Sequence, residues 1–332
     1  MRARLALLAA AVLLALGLAA LPAAAMPTPQ PQRATIRIGT PAIVVSQWPF
    51  LMAKVRGTFD RMGLDIDLSA TRTEPLSMQY LVSNSIDLTI LSPGAVFTTV
   101  EAGGNATIIG GLQNKMTYAL LGRPEIRSLQ DLRGKSIATD QVRGTIPAII
   151  KELIKPSGLE ADRDYELRVV GAINERYAAM VANQVAATLL APPWDTRAQT
   201  EGYTVLASTL TDLPPLQWNV YAVERNWANA NRDALARFLA AVRQNAEWLY
   251  DPANREEAIR LLAAELNADE ALIRENYANM VASNQVYSRD GSFDRGGVER
   301  LIALFASEGL IPAVAPIERY ADSSFWEASL RY

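Results

Sequence analysis

Four short apolar runs constrain the fold of this chain most strongly, because each leads through a brief loop into a helix that has proline near its start. The runs cover residues 36–39, 86–91, 136–139 and 185–190. The prolines are Pro49, Pro93, Pro147 and the pair Pro192-Pro193. The first turn of a helix tolerates proline because its N–H groups lack intrahelical partners. Strands and helices that alternate through such short links predict an α/β fold with mainly parallel sheets flanked by helices.

An internal repeat indicates that this fold has two similar halves. Residues 79–93 align without gaps on residues 178–192, with identical residues at five positions. Each copy is typical of a helix end, a turn, a buried strand and a helix that starts at proline. We therefore expect one copy in each of two lobes. Chance similarity between two ordinary helix–strand units is the alternative.

Two extended segments bracket the second copy and predict where the chain crosses between the lobes. They cover residues 117–122 and 217–223. The expected boundaries place residues 35–120 and 218–332 in lobe 1 and residues 121–217 in lobe 2. The chain after residue 225 shows helical apolar spacing, so we expect its helices to pack back onto lobe 1.

The amino terminus has the pattern of a cleaved signal peptide. A basic start with Arg2 and Arg4 precedes an apolar run over residues 5–21, and small residues 23–25 follow Pro22. This pattern predicts a signal peptide over residues 1–25 and a flexible Pro/Gln tether over residues 26–34, and hence a periplasmic protein. An uncleaved membrane anchor is the alternative. The chain has no cysteine, so a lipid anchor on a leader cysteine is not expected.

Composition excludes several classes of function. The chain contains neither cysteine nor histidine, which excludes thiol nucleophiles, Ser-His-Asp triads and zinc sites built on thiolate or imidazole. Gly134-Lys135-Ser136 resembles the end of a phosphate-binding loop, but Leu129 stands where that motif needs glycine. We expect no enzyme activity, no cofactor and no metal. Without Arg2 and Arg4, 30 basic side chains stand against 35 acidic ones, which argues against a nucleic-acid partner.

The candidate ligand-binding residues lie at the strand-to-helix junctions and in the two crossover segments. Open α/β sheets bind ligands beyond the carboxyl ends of their strands, where helix N-termini offer unpaired N–H donors. Each residue also has a structural explanation, such as a helix cap, a core aromatic or a solvated charge. The predicted ligand-binding residues are Ser46, Gln47, Trp48, Ser92, Asn114, Tyr118, Thr139, Arg143, Gly144, Thr145, Trp194, Asp195 and Trp218.

Several segments resemble the solute-binding proteins of ABC importers, in the group with alkanesulfonate-, taurine- and thiamine-precursor-binding members (NMT1/SsuA/TauA-like). The most specific is the Ser-Leu-x-Asp-Leu-x-Gly-Lys run over residues 128–135; looser ones are residues 36–39, 81–93 and 192–206. The resemblance implies a two-lobed type II periplasmic-binding-protein fold. One feature departs from the group, because residues 183–187 read Asn-Gln-Val-Ala-Ala where members usually have Gly-x-Val-Asp-Ala.

The resemblance also implies a function and partners. A small organic solute, anionic or heteroaromatic and similar to a sulfonate, a carboxylate or a thiamine precursor, would be captured between hinged lobes. A monomeric protein would then deliver it to an ABC permease in the cytoplasmic membrane. A solute-sensing receptor on the same fold is the alternative. An enzyme such as a thiamine-pyrimidine synthase is less favoured, because resemblance to it would require histidine and cysteine.

Overall fold

Two five-stranded sheets organise residues 33–332, the part of the chain that the computed structural model describes. The predicted signal peptide and most of the predicted tether lie outside the described residues. The strands are β1 (Ala34–Thr40), β2 (Leu64–Ala70), β3 (Leu88–Leu91), β4 (Ala106–Gly111), β5 (Ala119–Gly122), β6 (Ser136–Thr139), β7 (Glu166–Val169), β8 (Ala187–Leu190), β9 (Thr204–Ser208) and β10 (Val220–Glu224).

The two sheets have the same internal arrangement. Lobe 1 is built on the order β2-β1-β3-β10-β4 and lobe 2 on the order β7-β6-β8-β5-β9. The first three strands of each sheet are parallel, and the fourth runs antiparallel to both of its neighbours. The predicted α/β fold with two mainly parallel sheets is therefore confirmed. The chain enters lobe 2 before β5 and returns to lobe 1 before β10.

Helices cover these sheets, and proline stands in the first turn of four of them. These prolines are Pro49, Pro75, Pro93 and Pro147, at positions where no intrahelical N–H bond is lost. The helices are α1 (Trp48–Val55), α2 (Thr58–Arg61), α3 (Glu74–Val82), α4 (Pro93–Glu101), α5 (Thr145–Ile154), α6 (Ile173–Val181), α7 (Trp194–Thr200), α8 (Arg225–Ala230), α9 (Arg232–Tyr250), α10 (Arg255–Leu266), α11 (Glu270–Asn276), α12 (Arg295–Ser307) and α13 (Ser324–Ser329). None of the described helices is long and apolar enough to cross a membrane.

The repeated sequence corresponds to one structural unit in each lobe. The unit is α3-β3-α4 in lobe 1 and α6-β8-α7 in lobe 2. After the first helix of each unit, Asn84 and Asn183 both adopt a left-handed φ of 58°, a conformation that asparagine tolerates better than most residues. Their N–H groups donate to Leu81 O at 3.0 Å and to Met180 O at 3.1 Å. The sequence repeat thus encodes the same turn and the same central strand twice.

The apolar core runs continuously from one lobe into the other. One cluster of buried side chains includes Phe97 on α4 of lobe 1, Ile149 on α5 of lobe 2, and Phe305 on α12. A second cluster fills lobe 1 around Trp48 and Phe238, and a third lies within lobe 2. Helix α12 therefore contributes to the packing of both lobes at the side of the molecule where they meet.

Candidate functional site

A cleft with a volume of about 550 Å³ lies between the two lobes and is lined by residues from both. The lobe 1 wall comprises the loop after β1, the segment that leads into α3, the end of β3 and the segment before β10. Its lining residues are Thr40, Pro41, Ala42, Val44, Ser46, Gln47, Arg72, Thr73, Glu74, Pro75, Ile90, Leu91, Trp218 and Asn219.

The lobe 2 wall comprises the segment before β5, the loop after β6, the start of α5 and the first turns of α6. These junctions lie at the carboxyl ends of parallel strands, where open α/β sheets place their ligands. The lining residues are Tyr118, Asp140, Gln141, Thr145, Ile146, Gly171, Ala172, Ile173 and Arg176.

Two aromatic rings from the crossover segments form part of the cleft. Tyr118 and Trp218 pack edge to face, with ring centroids 5.1 Å apart. The backbone N–H of Tyr118 donates to Thr209 Oγ1 at 2.9 Å, which fixes the chain direction before β5. Burial raises the pKa of the Tyr118 hydroxyl, so this group stays neutral. The pair offers an apolar surface to a ring or methylene group of a ligand.

A hydrogen-bond relay joins the lobes where this cleft narrows. Thr145 Oγ1 on lobe 2 lies 3.2 Å from Ser92 Oγ on lobe 1. The hydroxyl and the backbone N–H of Ser92 both donate to the Glu74 carboxylate, each at 2.8 Å. Gly94 makes this approach possible, because a Cβ at that position would lie 2.7 Å from Thr145 Oγ1. Ser92 therefore bridges the lobes, and its side chain makes no hydrogen bond that caps α4.

A second cavity, which we call the side chamber, adjoins the cleft. Its volume is about 530 Å³, and it shares Glu74, Pro75, Gln141 and Thr145 with the cleft. Arg143 and Gly144 line this chamber, together with apolar residues of α3, α4 and α12. The exposed Arg143 guanidinium donates to the carbonyl oxygen of Gly309.

The structure brings five of the predicted site residues to the cleft. They are Ser46, Gln47, Tyr118, Thr145 and Trp218. Arg143 and Gly144 line the side chamber, and Ser92 reaches both cavities through its bonds to Glu74 and Thr145.

Five other predicted residues do not line the cleft. Trp48 is fully buried in the lobe 1 core, where its ring packs against Tyr277, and Thr139 is fully buried at the end of β6. Asn114 donates to the carbonyl oxygen of Ser292 at 3.3 Å. Trp194 packs against Tyr177 within lobe 2, and Asp195 is buried beside Thr196. Trp48, Trp194 and Asp195 lie in the first turns of their helices, and the rotation of each helix points these side chains away from the cleft.

Gln47 leaves one polar atom without a partner beside the cleft. Its Nε2 donates to Thr40 Oγ1 and to the carbonyl oxygen of Ala42. A carbonyl oxygen only accepts, so the NH₂ group must face it, and this fixes the orientation of the amide. The buried Oε1 of Gln47 then has no donor among the described residues. A buried acceptor without a donor calls for a partner such as a water or a ligand.

Sequence reasoning missed a buried charged residue of the cleft, Arg176. This arginine on α6 is only 4 % exposed and lines the cleft. Its Nη1 donates to Gly171 O at 2.9 Å and its Nη2 to Leu189 O at 3.3 Å. Burial lowers the pKa of the guanidinium, and the charge of Asp140 partly opposes this effect. A guanidinium remains charged at neutral pH in any case, so the cleft wall contains a fixed positive charge.

Two carboxyl groups line the same cleft as this charge. Burial raises the pKa of Glu74, more than the hydrogen bonds from Ser92 lower it. Burial also raises the pKa of Asp140, and the charge of Arg176 opposes that shift. Sequence reasoning missed both acids. For Glu74 a signal existed, because Thr73 before Glu74-Pro75 has the pattern of an N-cap, and Thr73 Oγ1 does accept from Leu76 N.

Both walls of the cleft carry groups that can bind a ligand. Within residues 33–332, no group of three or more acidic side chains could hold a metal ion. Charged and polar side chains converge from both lobes around an aromatic edge. Such a cavity of several hundred Å³ is typical of a small-molecule site. The fold and this site together define the class of two-lobed solute-binding proteins with the type II periplasmic-binding fold.

Comparison with known proteins assigns the family. The profile of the family described as NMT1/THI5 like matches residues 46–255, which is more than half of the chain. This protein therefore belongs to the NMT1/THI5-like family.

Individual relatives agree with that assignment. A Brucella abortus protein described as a candidate binding protein is 23 % identical over 286 residues, which cover 83 % of this chain and 86 % of the relative. The alkanesulfonate-binding protein SsuA from Xanthomonas axonopodis pv. citri superposes with a TM-score of 0.71 at 21 % identity, covering 88 % of this chain and 99 % of SsuA. The periplasmic nitrate-binding protein NrtA from Synechocystis PCC 6803 superposes with a TM-score of 0.74 at 15 % identity, covering 90 % of this chain and 89 % of NrtA. These relatives support a solute-binding role.

Proposed function

We propose that this protein captures a small organic solute in the cleft, outside the cytoplasmic membrane, and delivers it to the permease of an ABC importer. The observation that carries the proposal is a cavity whose walls are strand-to-helix junctions of both lobes. A ligand that touches both lobes stabilises the closed arrangement, because only contacts made in that state shift the equilibrium between open and closed forms. The protein then acts as a receptor and not as an enzyme.

The names of the structural neighbours favour an anionic solute. SsuA is named for alkanesulfonate and NrtA for nitrate, and both of these ligands are anions. The cleft of this protein contains the buried Arg176, while Tyr118 and Trp218 provide a surface for a carbon skeleton. A sulfonate, a carboxylate or a heteroaromatic acid therefore fits the proposal.

Thermal-shift screening of the purified protein against such solutes tests the binding step. A ligand at about 100 times its Kd stabilises the native state by about 2.7 kcal/mol, and for a fold of roughly 300 residues this corresponds to a rise in melting temperature of about 4–5 °C. Ala172→Trp should abolish the rise, because residue 172 lines the cleft. The matched control is Ala178→Trp, at an exposed position on the same helix outside the cleft lining. A shift that survives Ala172→Trp contradicts binding in the cleft.

Uptake of the identified solute by cells tests the delivery step. We expect cells that lack this protein to lose high-affinity uptake of the solute. Normal uptake in such cells, combined with binding in the cleft, would instead favour the solute-sensing receptor.

A further inference from the structure

The two buried arginines of this protein differ in their charge partners. Arg176 and Arg237 are the arginines that are more than nine-tenths buried within residues 33–332. Arg237 forms an ion pair with Asp233 at 3.0 Å. Arg176 has no carboxylate within 4.0 Å in the described part of the chain, and its Nε has no hydrogen-bond partner there. A buried charge without a counter-ion is costly, so its retention beside a cavity points to a ligand.

Two backbone carbonyls hold the Arg176 guanidinium in place. Because Gly171 O and Leu189 O accept from its two terminal nitrogens, the group is oriented before any ligand arrives. A planar guanidinium with remaining N–H groups matches a carboxylate or a sulfonate, which can accept two parallel hydrogen bonds. Near it, helix α5 begins at Thr145 with no side-chain cap, and Thr145 and Ile146 line the same cleft. Both features favour a negative group.

The acidic residues of the cleft call for a second, different group on the ligand. Asp140 lies close enough to Arg176 to affect its pKa but forms no ion pair with it within 4.0 Å. The side-chain bond to Asp140 comes from Thr139 Oγ1 at 3.4 Å. On the opposite wall, and among residues 33–332, the Glu74 carboxylate accepts hydrogen bonds from Ser92 alone and Gln47 Oε1 has no donor. These acceptors require hydrogen-bond donors.

We propose that the solute is an amino-substituted organic acid, whose anionic group pairs with Arg176 and whose N–H donors face Asp140 and the lobe 1 acceptors Glu74 and Gln47. The inference rests on the proposed function, because it assumes that the solute occupies the cleft. One molecule of this class satisfies groups from both lobes. An acid without donors leaves the acceptors unpaired, and an amine without an anionic group leaves Arg176 unpaired.

Isothermal titration calorimetry with two series of three matched compounds tests this assignment. The aliphatic series is 4-aminobutanoate, butanoate and butylamine, and the aromatic series is 4-aminobenzoate, benzoate and aniline. We expect the wild-type protein to bind the amino acid of at least one series about tenfold or more tightly than either partner compound. Arg176→Met should weaken that binding by about tenfold or more, so that the amino acid no longer binds more tightly than the amine. Asp140→Asn should weaken binding by about threefold to tenfold and reduce the advantage over the acid.

Two further variants keep the result interpretable. Arg176→Lys retains the charge, so we expect a smaller loss than for Arg176→Met and a preserved preference for acids. Arg168→Met removes the same charge from an exposed side chain on β7 in lobe 2 and should leave binding unchanged.

The outcomes separate this inference from the proposed function. The amino-acid assignment is overturned if butanoate or butylamine binds as tightly as 4-aminobutanoate. It is also overturned if Arg176→Met binds the amino acid as tightly as the wild type does. Neither result contradicts solute binding itself. If neither series and none of the other small acids and heteroaromatics in the thermal-shift screen binds, the proposed function fails as well.

Discussion

The two copies of the repeated unit share a backbone but contribute opposite charges to the cleft. Their first helices, Glu74–Val82 and Ile173–Val181, both have nine residues and enter from equivalent turns at Arg72 and Gly171, which both have positive φ. At the same position in these helices, lobe 1 has Ser77 and lobe 2 has Arg176. At the first position, lobe 1 has Glu74 and lobe 2 has Ile173. The repeat therefore supplies a carboxylate from one lobe and a guanidinium from the other.

The difference extends to how each copy satisfies its polar groups. In lobe 1, the Ser77 hydroxyl bonds to Thr71 and Thr73, and Asp87 pairs with Arg37 at 2.6 Å. In lobe 2, Ala186 replaces Asp87, and the partner strand has Ser136 in place of Arg37. The polar groups of the lobe 1 copy stabilise that lobe, whereas Arg176 in the lobe 2 copy has no carboxylate within 4.0 Å among residues 33–332. Two units with the same backbone arrangement can thus divide stability and recognition between them.

Removal of the lobe 1 ion pair should give the largest effect. Asp87 is 5 % exposed and accepts hydrogen bonds from the backbone N–H and the guanidinium of Arg37. We expect Asp87→Ala to lower the free energy of unfolding by about 2–4 kcal/mol, because it leaves a backbone N–H and a cation without their partner. Ser136→Ala, at the lobe 2 position that corresponds to Arg37, should cost less than about 0.5 kcal/mol. Equal losses in urea unfolding would contradict the division between the copies.

Asp195 should affect the free energy of unfolding in a pH-dependent way, and by an intermediate amount. It occupies the position in lobe 2 where lobe 1 has the fully buried Val96. Burial raises the pKa of Asp195 from 3.8 to about 6. The folded protein therefore keeps this proton up to about pH 6, whereas the unfolded chain releases it near pH 4, so stability falls as the pH rises through that window.

Asp195→Asn should remove this loss of stability. We expect the variant to match the wild type near pH 4 and to exceed its free energy of unfolding by about 2 kcal/mol at pH 7. The amide oxygen can still accept from Thr196 N, as Asp195 Oδ1 does at 2.7 Å. Chemical denaturation at pH 4, 5, 6 and 7 measures the difference. A variant that is less stable than the wild type at pH 7 would show that the charged carboxylate stabilises lobe 2.

The smallest expected effect is on solute affinity and compares two tryptophans, each of which packs against a tyrosine. Trp218 lines the cleft beside Tyr118, whereas Trp194 packs against Tyr177 and lies outside the cleft lining. We expect Trp218→Ala to weaken binding of the identified solute by about 1–2 kcal/mol in calorimetry, through loss of aromatic contact. Trp194→Ala should change binding by less than about 0.5 kcal/mol. A stronger effect of Trp194→Ala would place the solute nearer to α7.

The central strands and their junctions could be predicted from the sequence, and the edge strands could not. β3 and β8 are fully buried, so they produce continuous apolar runs, and the prolines after them mark helix starts. β7 has the exposed sequence Glu166–Val169 and lies at the edge of its sheet. Without an apolar run, its junction with α6 gave no signal, and Arg176 was missed with it. Glu74 follows β2 at the matching edge and was missed as well, although Thr73 before it marks the start of α3.

The direction of the side chains at the junctions could not be predicted from the sequence either. A helix turns by about 100° per residue, so neighbouring positions face the core and the cleft in turn. Gln47 lines the cleft while Trp48, the next residue, lies in the lobe 1 core. An aromatic residue at a junction fits either environment. Tyr118 and Trp218 could be predicted because the crossover segments must pass between the lobes.

A crystal structure of the complex with the tightest-binding solute would decide between binding in the cleft and binding elsewhere. We expect the solute between the lobes, with its anionic group within hydrogen-bond distance of the Arg176 guanidinium and its donor group facing Asp140, Glu74 or Gln47. A solute that occupies only the side chamber, or that contacts a single lobe, would contradict this expectation.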